Sequence, residues 1–294
     1  MFSDNERVPG TDSLSARDGG SSSVQRDESP ALCEQLMSAL RDAASFLTRV
    51  PLHRSDGGAP NMSAAVPWFG FVGLILGLIQ GGIYVGLDAL ATPTVAAAVS
   101  AALLGLITGA FHHDGLADIA DAFGGGWTPE QRLEILKDSR LGTYGVTALI
   151  FVIIIEIAAL SALAGWLAVA ATAAAHAVSR CVASFMMIVA RPARDSGLGV
   201  DYLSGLSRPA VIGASVLVAV GAVAAFGVVA LPLLVGAYGA GALVVRLAIS
   251  KIGGISGDVL GAVQQIAKIM TLVLIVIADN VTTDLGTLGG LTLH

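Results

Sequence analysis

The sequence predicts an all-α integral membrane protein, a polytopic bundle of about seven transmembrane helices with amphipathic helices at its surface. Hydrophobic residues make up 54% of the 294-residue chain, charged residues make up 13%, and the mean hydropathy is +0.78. Soluble domains carry about a quarter charged residues, so this composition favours a bilayer as solvent. The apolar residues also fall into runs of about 20, which is the length that crosses a ~30 Å hydrocarbon core.

The N-terminal part of the chain is polar. Residues 1–30 are rich in Ser, Asp, Gly and Arg, a composition typical of a disordered tail. Over 31–50, apolar residues such as Leu32 and Leu36 recur near helical spacing among charged residues, which predicts an amphipathic helix on the membrane surface. Pro51 ends that helix. Because no basic segment precedes an apolar run here, we expect no cleaved signal peptide.

Seven apolar runs follow the amphipathic helix. We place the spans at 64–88, 94–111, 143–163, 167–189, 210–229, 231–250 and 259–278. The basic residues of the connections lie in the longer ones, at 112–142, 190–209 and 251–258, and the short turns have none. The positive-inside rule therefore predicts that the N-terminus and these three loops face the cytoplasm. We expect a multi-pass protein of the cell inner membrane.

Charge and cysteine content exclude other classes. The net charge of −6 argues against a nucleic-acid partner. Cys33 and Cys181 lie far apart and match no metal-binding spacing, so we expect neither a zinc site nor a structural disulfide.

The strongest chemical signal is the acidic segment TGAFHHDGLADIADAFGGGW at 108–127. On a helix, Asp114, Asp118 and Asp121 stand at i, i+4 and i+7 and share one face. Carboxylates this close repel one another unless a cation neutralises them, and oxygen ligands favour Mg²⁺, Mn²⁺ or Ca²⁺. The segment therefore predicts a metal site. The alternative is a solvated helix end on which the three acids meet by accident.

Neighbouring residues extend the predicted site. Only one of His112 and His113 can face the carboxylates, because consecutive helical residues point in different directions. A histidine there could act as a general base or contact phosphate. Asp138 is a candidate for a further metal ligand, and Arg140 is a candidate phosphate ligand.

The other polar loops and the spans supply further candidates. Arg191 and Lys251 lie in loops that face the same side, and a glycine-rich turn precedes Asp258 at a helix start. Backbone amides of such a turn can cradle phosphate, while Asp258 could bind metal or cap the helix. Within the spans, Arg180 could contact substrate or snorkel to the membrane surface, and Glu156 is expected to pair with a neighbouring helix.

These segments resemble the cobalamin synthase family, the adenosylcobinamide-GDP ribazoletransferases. The matching blocks follow the family's order over roughly residues 40–280: FLTRVPL (46–52), HHDGLADIADAFGGG (112–126), RLEILKDSRLGTYG (132–145), SRC (179–181) and KIGGISGDVLGAVQQ (251–265). Lys268 departs from the family pattern, in which an acidic residue is expected.

The resemblance implies the last assembly step of adenosylcobalamin synthesis. Adenosylcobinamide-GDP would be joined to α-ribazole or its 5′-phosphate, with release of GMP and a requirement for Mg²⁺. A single transmembrane catalytic domain at 31–280, followed by a short tail at 281–294, would carry this activity. The sequence leaves open which ribazole form reacts and what the oligomeric state is, a homo-oligomer included.

The expected residue roles follow when the steps of this reaction are assigned to the polar segments. We expect four aspartates to hold Mg²⁺, namely Asp114, Asp118, Asp121 and Asp138. Asp121 or His113 would accept the proton of the ribazole hydroxyl. The expected substrate-binding residues are Arg140, Arg191, Lys251, Asp258 and Arg180.

Two other functions fit the sequence less closely. The signature of CDP-alcohol phosphotransferase-like lipid enzymes also begins with Asp-Gly, but Asp118 stands where that signature has Arg after Ala117. A cation-coupled transporter would place its carboxylates near the bilayer midplane on broken helices in repeated halves. Here the acidic cluster follows the end of a span, and no repeat is found.

Overall fold

The computed structural model describes residues 28–52, 59–193 and 205–290. These ranges are helical, with one isolated bridge between Pro192 and Ile255 and no strand. The helices are α1 (Glu28–Leu47), α2 (Met62–Ala65), α3 (Phe69–Asp88), α4 (Pro93–Thr108), α5 (Phe111–Gly125), α6 (Pro129–Ile135), α7 (Thr143–Ser161), α8 (Gly165–Val189), α9 (Arg208–Phe226), α10 (Ala230–Ile252) and α11 (Gly257–Gly290). The tail predicted to be disordered lies outside the described residues except where α1 begins.

Five helical stretches of the described chain are long and apolar enough to cross a membrane: Met62–Asp88, Thr143–Ser161, Gly165–Val189, Arg208–Ile252 and Gly257–Thr283. A sixth is added if α4 and α5, which are bent by 92° at a short break, count as one span. The stretch Arg208–Ile252 has 45 residues, about 68 Å of helix at 1.5 Å per residue. That length is about twice the thickness of a hydrocarbon core, so we assign it two crossings.

Helices α9 and α10 form this pair of crossings. They are joined at Gly227, whose φ of +58° suits glycine, and by a 3₁₀ turn at Gly227–Val229. Phe226 and Leu233, on either side of the turn, pack into one apolar cluster at one end of the bundle. At the opposite end, Val211 packs near the start of α3. The two helices therefore match the separate spans predicted at 210–229 and 231–250.

Helix α1 is the amphipathic helix that the sequence predicts, and its two halves differ. The N-terminal half exposes Leu32 and Leu36, which is consistent with contact to a membrane surface. In the C-terminal half Leu47 is buried against the start of α3. The carboxylate of Asp42 accepts a hydrogen bond of 2.8 Å from the backbone amide of Asn61. This half of α1 is thereby fixed to the bundle.

Small residues bring α3 and α8 close together in the centre of the bundle. A Cβ atom at Gly73 or Gly77 would collide with the backbone carbonyls of His176 or Thr172 on α8. Such glycine faces are typical of closely packed membrane helices. The close approach places the polar side chain of Gln80 within reach of α8.

The three polar loops meet at one end of the bundle, which we call the polar end. The backbone of Ile255 exchanges hydrogen bonds of 2.9 Å with Arg191 and Ala193, and the Arg132 side chain donates to the carbonyl of Lys251. The C-terminal part of α1 is at the same end, because the Arg49 amide donates to the carbonyl of Ile107. The side of the membrane that this end faces stays a prediction.

Candidate active site

The break between α4 and α5 shapes the site. Gly109 and Ala110 both have left-handed backbone conformations, with φ of +65° and +56°. For a residue other than glycine this costs of order 1–3 kcal/mol, and such strain often marks a functional site. The side chain of Arg49 packs directly over Gly109, where a Cβ atom would collide with it. The break turns α5 away from α4, so that α5 lies beside the C-terminal end of α1.

A cavity of about 580 Å³ opens at this break, and its volume suits a small-molecule site. Its charged and polar lining includes Arg49, His113, Asp114, Asp118 and Ser139, and its apolar lining includes Phe46, Phe111 and Leu141. Helices α1, α4, α5 and α7 and the loop before α7 all contribute. The cavity is therefore a tertiary site that no single segment of the sequence builds.

Four aspartates, Asp114, Asp118, Asp121 and Asp258, form an acidic group, and the first two line this cavity. The negative charges of Asp114, Asp258 and Asp121 all act on Asp118. Asp258 comes close because Gly115 packs against its backbone, where a Cβ atom would lie 2.9 Å from the Asp258 carbonyl oxygen. Ser256, and not Asp258, caps α11, since its hydroxyl accepts a hydrogen bond from the Val259 amide. Asp258 is thus placed beside the predicted metal ligands.

Asp121 differs from the cavity carboxylates. It is buried, and its two oxygens accept hydrogen bonds of 2.7 and 2.8 Å from the backbone amides of Gly142 and Gly145. A Cβ atom at either glycine would collide with this carboxylate. Asp121 therefore holds the start of α7 against α5. Its predicted parts as metal ligand and as base stay predictions.

Asp138 and Arg140 bind each other in the loop before α7. The Asp138 carboxylate accepts hydrogen bonds from the Arg140 amide at 3.1 Å and from its Nε at 3.0 Å. The Arg140 guanidinium lowers the pKa of Asp138 to about 2. The Arg140 side chain is 87% exposed, and Ser139 between the two residues lines the cavity. The pair is thus placed beside the cavity.

Arg191 and Lys251 surround the glycine turn between α10 and α11. Arg191 Nε donates a 3.0 Å hydrogen bond to the carbonyl of Gly253, and the Arg191 side chain is exposed. Lys251 is partly buried at the end of α10. Neither residue belongs to the lining of the 580 Å³ cavity. They lie at the polar end, where their contact with substrate stays a prediction.

The two histidines of α5 face different surroundings. His113 lines the cavity, whereas His112 is buried and does not. The Nδ1 atom of His113 lies 3.3 Å from the side-chain nitrogen of Gln265 on α11. This contact joins the cavity to the buried interior.

Arg180 lies in that interior and does not snorkel. It is 2% exposed, and its Nη1 lies 2.9 Å from His176 Nδ1 and 3.1 Å from the His176 carbonyl. His176 contacts Gln80, and Gln80 donates to Glu156, which pairs with Lys268 at 2.7 Å. The expected pairing of Glu156 is confirmed. We call Gln80, Glu156, His176, Arg180 and Lys268 the buried polar network.

Sequence reasoning missed three residues of the site. Arg49 was quoted within FLTRVPL, but its position over the cavity depends on how α1 packs against the break. The positions of Ser139 and Gln265 at the site likewise depend on contacts across the bundle. The signal available in the sequence was that all three residues, Arg49, Ser139 and Gln265, lie in family blocks.

The carboxylates fit an open magnesium site. Within the described part of the chain, no group of three or more His, Cys, Asp or Glu side chains is arranged to hold a metal ion. Asp114 and Asp118, one helical turn apart, both line the cavity. Mg²⁺ commonly binds through one or two carboxylates, with water and substrate phosphates completing its shell. Two cavity carboxylates meet that requirement.

The fold and this site define a class: polytopic helical membrane proteins with an acidic cavity at one end of the bundle. The chain belongs to the cobalamin-5-phosphate synthase family, whose model matches residues 39–276. The resemblance drawn from the sequence blocks is therefore confirmed.

Curated relatives agree with the family. Each of the following is named adenosylcobinamide-GDP ribazoletransferase. The protein of Bradyrhizobium diazoefficiens is 41% identical over 236 residues, 79% of this chain and 91% of the relative. That of Shewanella putrefaciens is 37% identical over 248 residues, 81% and 94% of the two chains. That of Escherichia coli is 38% identical over 242 residues, 78% and 95%. No solved structure matches the chain.

Proposed function

We propose that this protein is an adenosylcobinamide-GDP ribazoletransferase. It joins adenosylcobinamide-GDP to α-ribazole or α-ribazole 5′-phosphate and releases GMP, the final assembly step of adenosylcobalamin. Family membership and the names of the relatives support the reaction. The observation that carries the site assignment is the cavity at the polar end, whose lining combines the carboxylates of Asp114 and Asp118 with the side chains of Arg49 and His113.

The bond changes of this reaction define what the cavity must do. A ribazole hydroxyl oxygen attacks the phosphorus that bears the cobinamide. The bond between that phosphorus and the bridging oxygen breaks, and GMP leaves with the electron pair. We place the hydroxyl proton on a carboxylate oxygen of Asp114 or Asp118 that does not hold the metal, because Asp121 is buried and does not line the cavity.

Asp114 and Asp118 would hold Mg²⁺ in this proposal. The ion, when bound, neutralises charge on the diphosphate and on the leaving GMP. The proposal is supported by the mutual repulsion within the acidic group, which a bound cation relieves. Asp121 then serves as a positioning residue that fixes the loop at Gly142 and Gly145 against α5.

Arg49 is our candidate for the main phosphate ligand. Its side chain lines the same cavity as Asp114 and Asp118, and a guanidinium binds phosphate oxygens in a bidentate manner. Arg140 lies near the cavity, and Arg191 and Lys251 are exposed or partly buried at the polar end. These outer cations would bind the parts of the large corrinoid nucleotide that the cavity cannot enclose.

We further propose that the polar end faces the cytoplasm from the inner membrane. The support is the positive-inside rule, because the basic residues of the connections lie in the loops of this end. In that orientation the acidic cavity opens to water-soluble substrates on the cytoplasmic side.

GMP release tests the proposed function. Purified protein in liposomes is given adenosylcobinamide-GDP and α-ribazole, and GMP is measured by chromatography. We expect GMP in step with corrinoid product, and none when α-ribazole is omitted. Replacing the substrates with CDP-diacylglycerol and an alcohol acceptor tests the lipid-enzyme alternative. CMP release in that assay, with no GMP from the first, would contradict the proposal.

A further inference from the structure

Two consecutive glutamines on α11 have different partners. Gln264 and Gln265 are 1% and 3% exposed. The side-chain amide of Gln264 donates to the Ser179 hydroxyl at 3.0 Å, and that of Gln265 lies 3.3 Å from His113 Nδ1. Both amide oxygens are buried without a hydrogen-bond partner in the described chain. A buried amide with only one of its two polar groups hydrogen-bonded costs folding free energy, so we expect each contact to have a function.

The contact to His113 has a chemical consequence that the contact to Ser179 lacks. With the Gln265 amide nitrogen turned toward His113, that nitrogen donates, Nδ1 accepts, and the proton of a neutral ring is on Nε2. A partner on one ring nitrogen sets the state of the other in this way. Because Nδ1 is engaged with α11, Nε2 is the ring nitrogen left for the cavity that His113 lines.

We propose that Gln265 is a positioning residue that holds His113 as a hydrogen-bond donor. The Nε2–H group donates to a phosphate oxygen of the diphosphate as charge develops there, and His113 does not take the hydroxyl proton. This inference rests on the proposed function for the identity of the ligand. The arrangement of Gln265 and His113 can be tested without it.

Kinetic comparison of the two glutamines tests the role. Gln264→Leu is the matched control, because it removes a buried hydrogen bond on the same helix that leads to Ser179 and not to the cavity. We expect Gln265→Leu to lower kcat about 10- to 100-fold, the usual cost of losing a partner that orients a site residue, with KM little changed. Gln264→Leu should change kcat less than about threefold.

A double-mutant cycle separates action through His113 from general damage. If Gln265 acts through His113, Gln265→Leu causes no further loss in a His113→Ala background. His113→Gln keeps an N–H group but cannot accept a proton, so we expect it to retain more activity than His113→Ala. Additive losses in the cycle, or equal inactivity of the two His113 variants, would overturn the proposal.

Gln265→Glu reverses the contact at nearly constant size. A carboxylate accepts the Nδ1 proton and leaves a lone pair on Nε2, the state a general base needs. We expect this variant to lose turnover, and its buried carboxylate to lower Tm as well. Turnover at or above the wild-type level, with the ring neutral and its proton on Nδ1 in the NMR experiment below, would overturn the donor role.

Nitrogen NMR gives a readout that does not depend on activity. Histidine is labelled with ¹⁵N, the protein is placed in liposomes, and the His113 signals are assigned by their loss in His113→Gln. We expect the Nε2–H tautomer in wild type and in Gln264→Leu, and the Nδ1–H tautomer in Gln265→Glu. An Nδ1–H tautomer in wild type would overturn the inference. The expected tautomers without GMP release would contradict the proposed function alone.

Discussion

The acidic group and the buried polar network both gather charged side chains, but they balance charge differently. In the buried network, Glu156 lies 2.7 Å from Lys268 and also accepts from Gln80. In the acidic group, Asp118 is surrounded by negative charges, and within the described chain neither Asp114 nor Asp118 has an ion-pair partner. Glu156 and Lys268 therefore neutralise each other within the fold, whereas the carboxylates of Asp114 and Asp118 are not neutralised by a described side chain. We therefore expect the first region to contribute to stability and the second to contribute to the reaction.

The largest effect on stability should come from breaking the ion pair of the buried polar network. Glu156→Gln leaves the Lys268 ammonium, 2% exposed, without a counter-ion. Removing one partner of a buried pair costs about 3–5 kcal/mol. We expect a clear fall in Tm in detergent, followed by light scattering or tryptophan fluorescence. The double variant Glu156→Gln with Lys268→Met should regain most of the loss. A Tm equal to wild type in Glu156→Gln would refute the assigned role.

At the acidic group we expect turnover to fall while the thermal stability is kept. Asp118→Asn removes a charge from a group of like charges, so Tm should hold or rise. Turnover should fall by about 10²–10³, the range for losing one electrostatic contact at the reacting phosphate. Asp88→Asn, at the far end of α3, is the control. Normal GMP release by Asp118→Asn would remove the acidic group from the mechanism.

A smaller loss is expected at the cation that lines the same cavity as the carboxylates. Arg49→Lys keeps the charge but loses the bidentate hydrogen bonds, and a charge-assisted hydrogen bond contributes about 1.5–3 kcal/mol. Steady-state kinetics should show about a tenfold to hundredfold loss of kcat/KM for adenosylcobinamide-GDP. Arg246→Lys, on α10, should leave kcat/KM unchanged. Equal kinetics for Arg49→Lys and wild type would indicate that Arg49 only packs over the break.

The smallest effect on stability is expected at the exposed pair beside the cavity. Arg140 lowers the pKa of Asp138 to about 2, so the pair stabilises the fold above the unfolded pKa near 3.8 and loses this contribution as pH falls toward 2. Exposed pairs contribute little, so Asp138→Asn should lower Tm at pH 7 by about 1 °C or less. A large fall in Tm would show that Asp138 has a structural role.

The sequence predicted the helices and the shared face of the aspartates, because both follow from local spacing. Asp114, Asp118 and Asp121 do stand in register on α5. The backbone hydrogen bonds of Asp121 and the partner of Lys268 could not be predicted, since they depend on residues 21 to 112 positions away. The position of Arg49 at the cavity could not be predicted for the same reason. Local pattern thus gives the candidate ligands, and packing decides which of them face the cavity.

We propose that Asp114 and Asp118 make this cavity a magnesium-dependent phosphoryl-transfer site. The most direct measurement is the Mg²⁺ dependence of GMP release in liposomes for wild type, Asp114→Asn and Asp88→Asn. We expect no release after chelation, and a half-maximal Mg²⁺ concentration raised about tenfold or more in Asp114→Asn only. Full activity of the chelated wild type, or identical titration curves for wild type and Asp114→Asn, would contradict the claim.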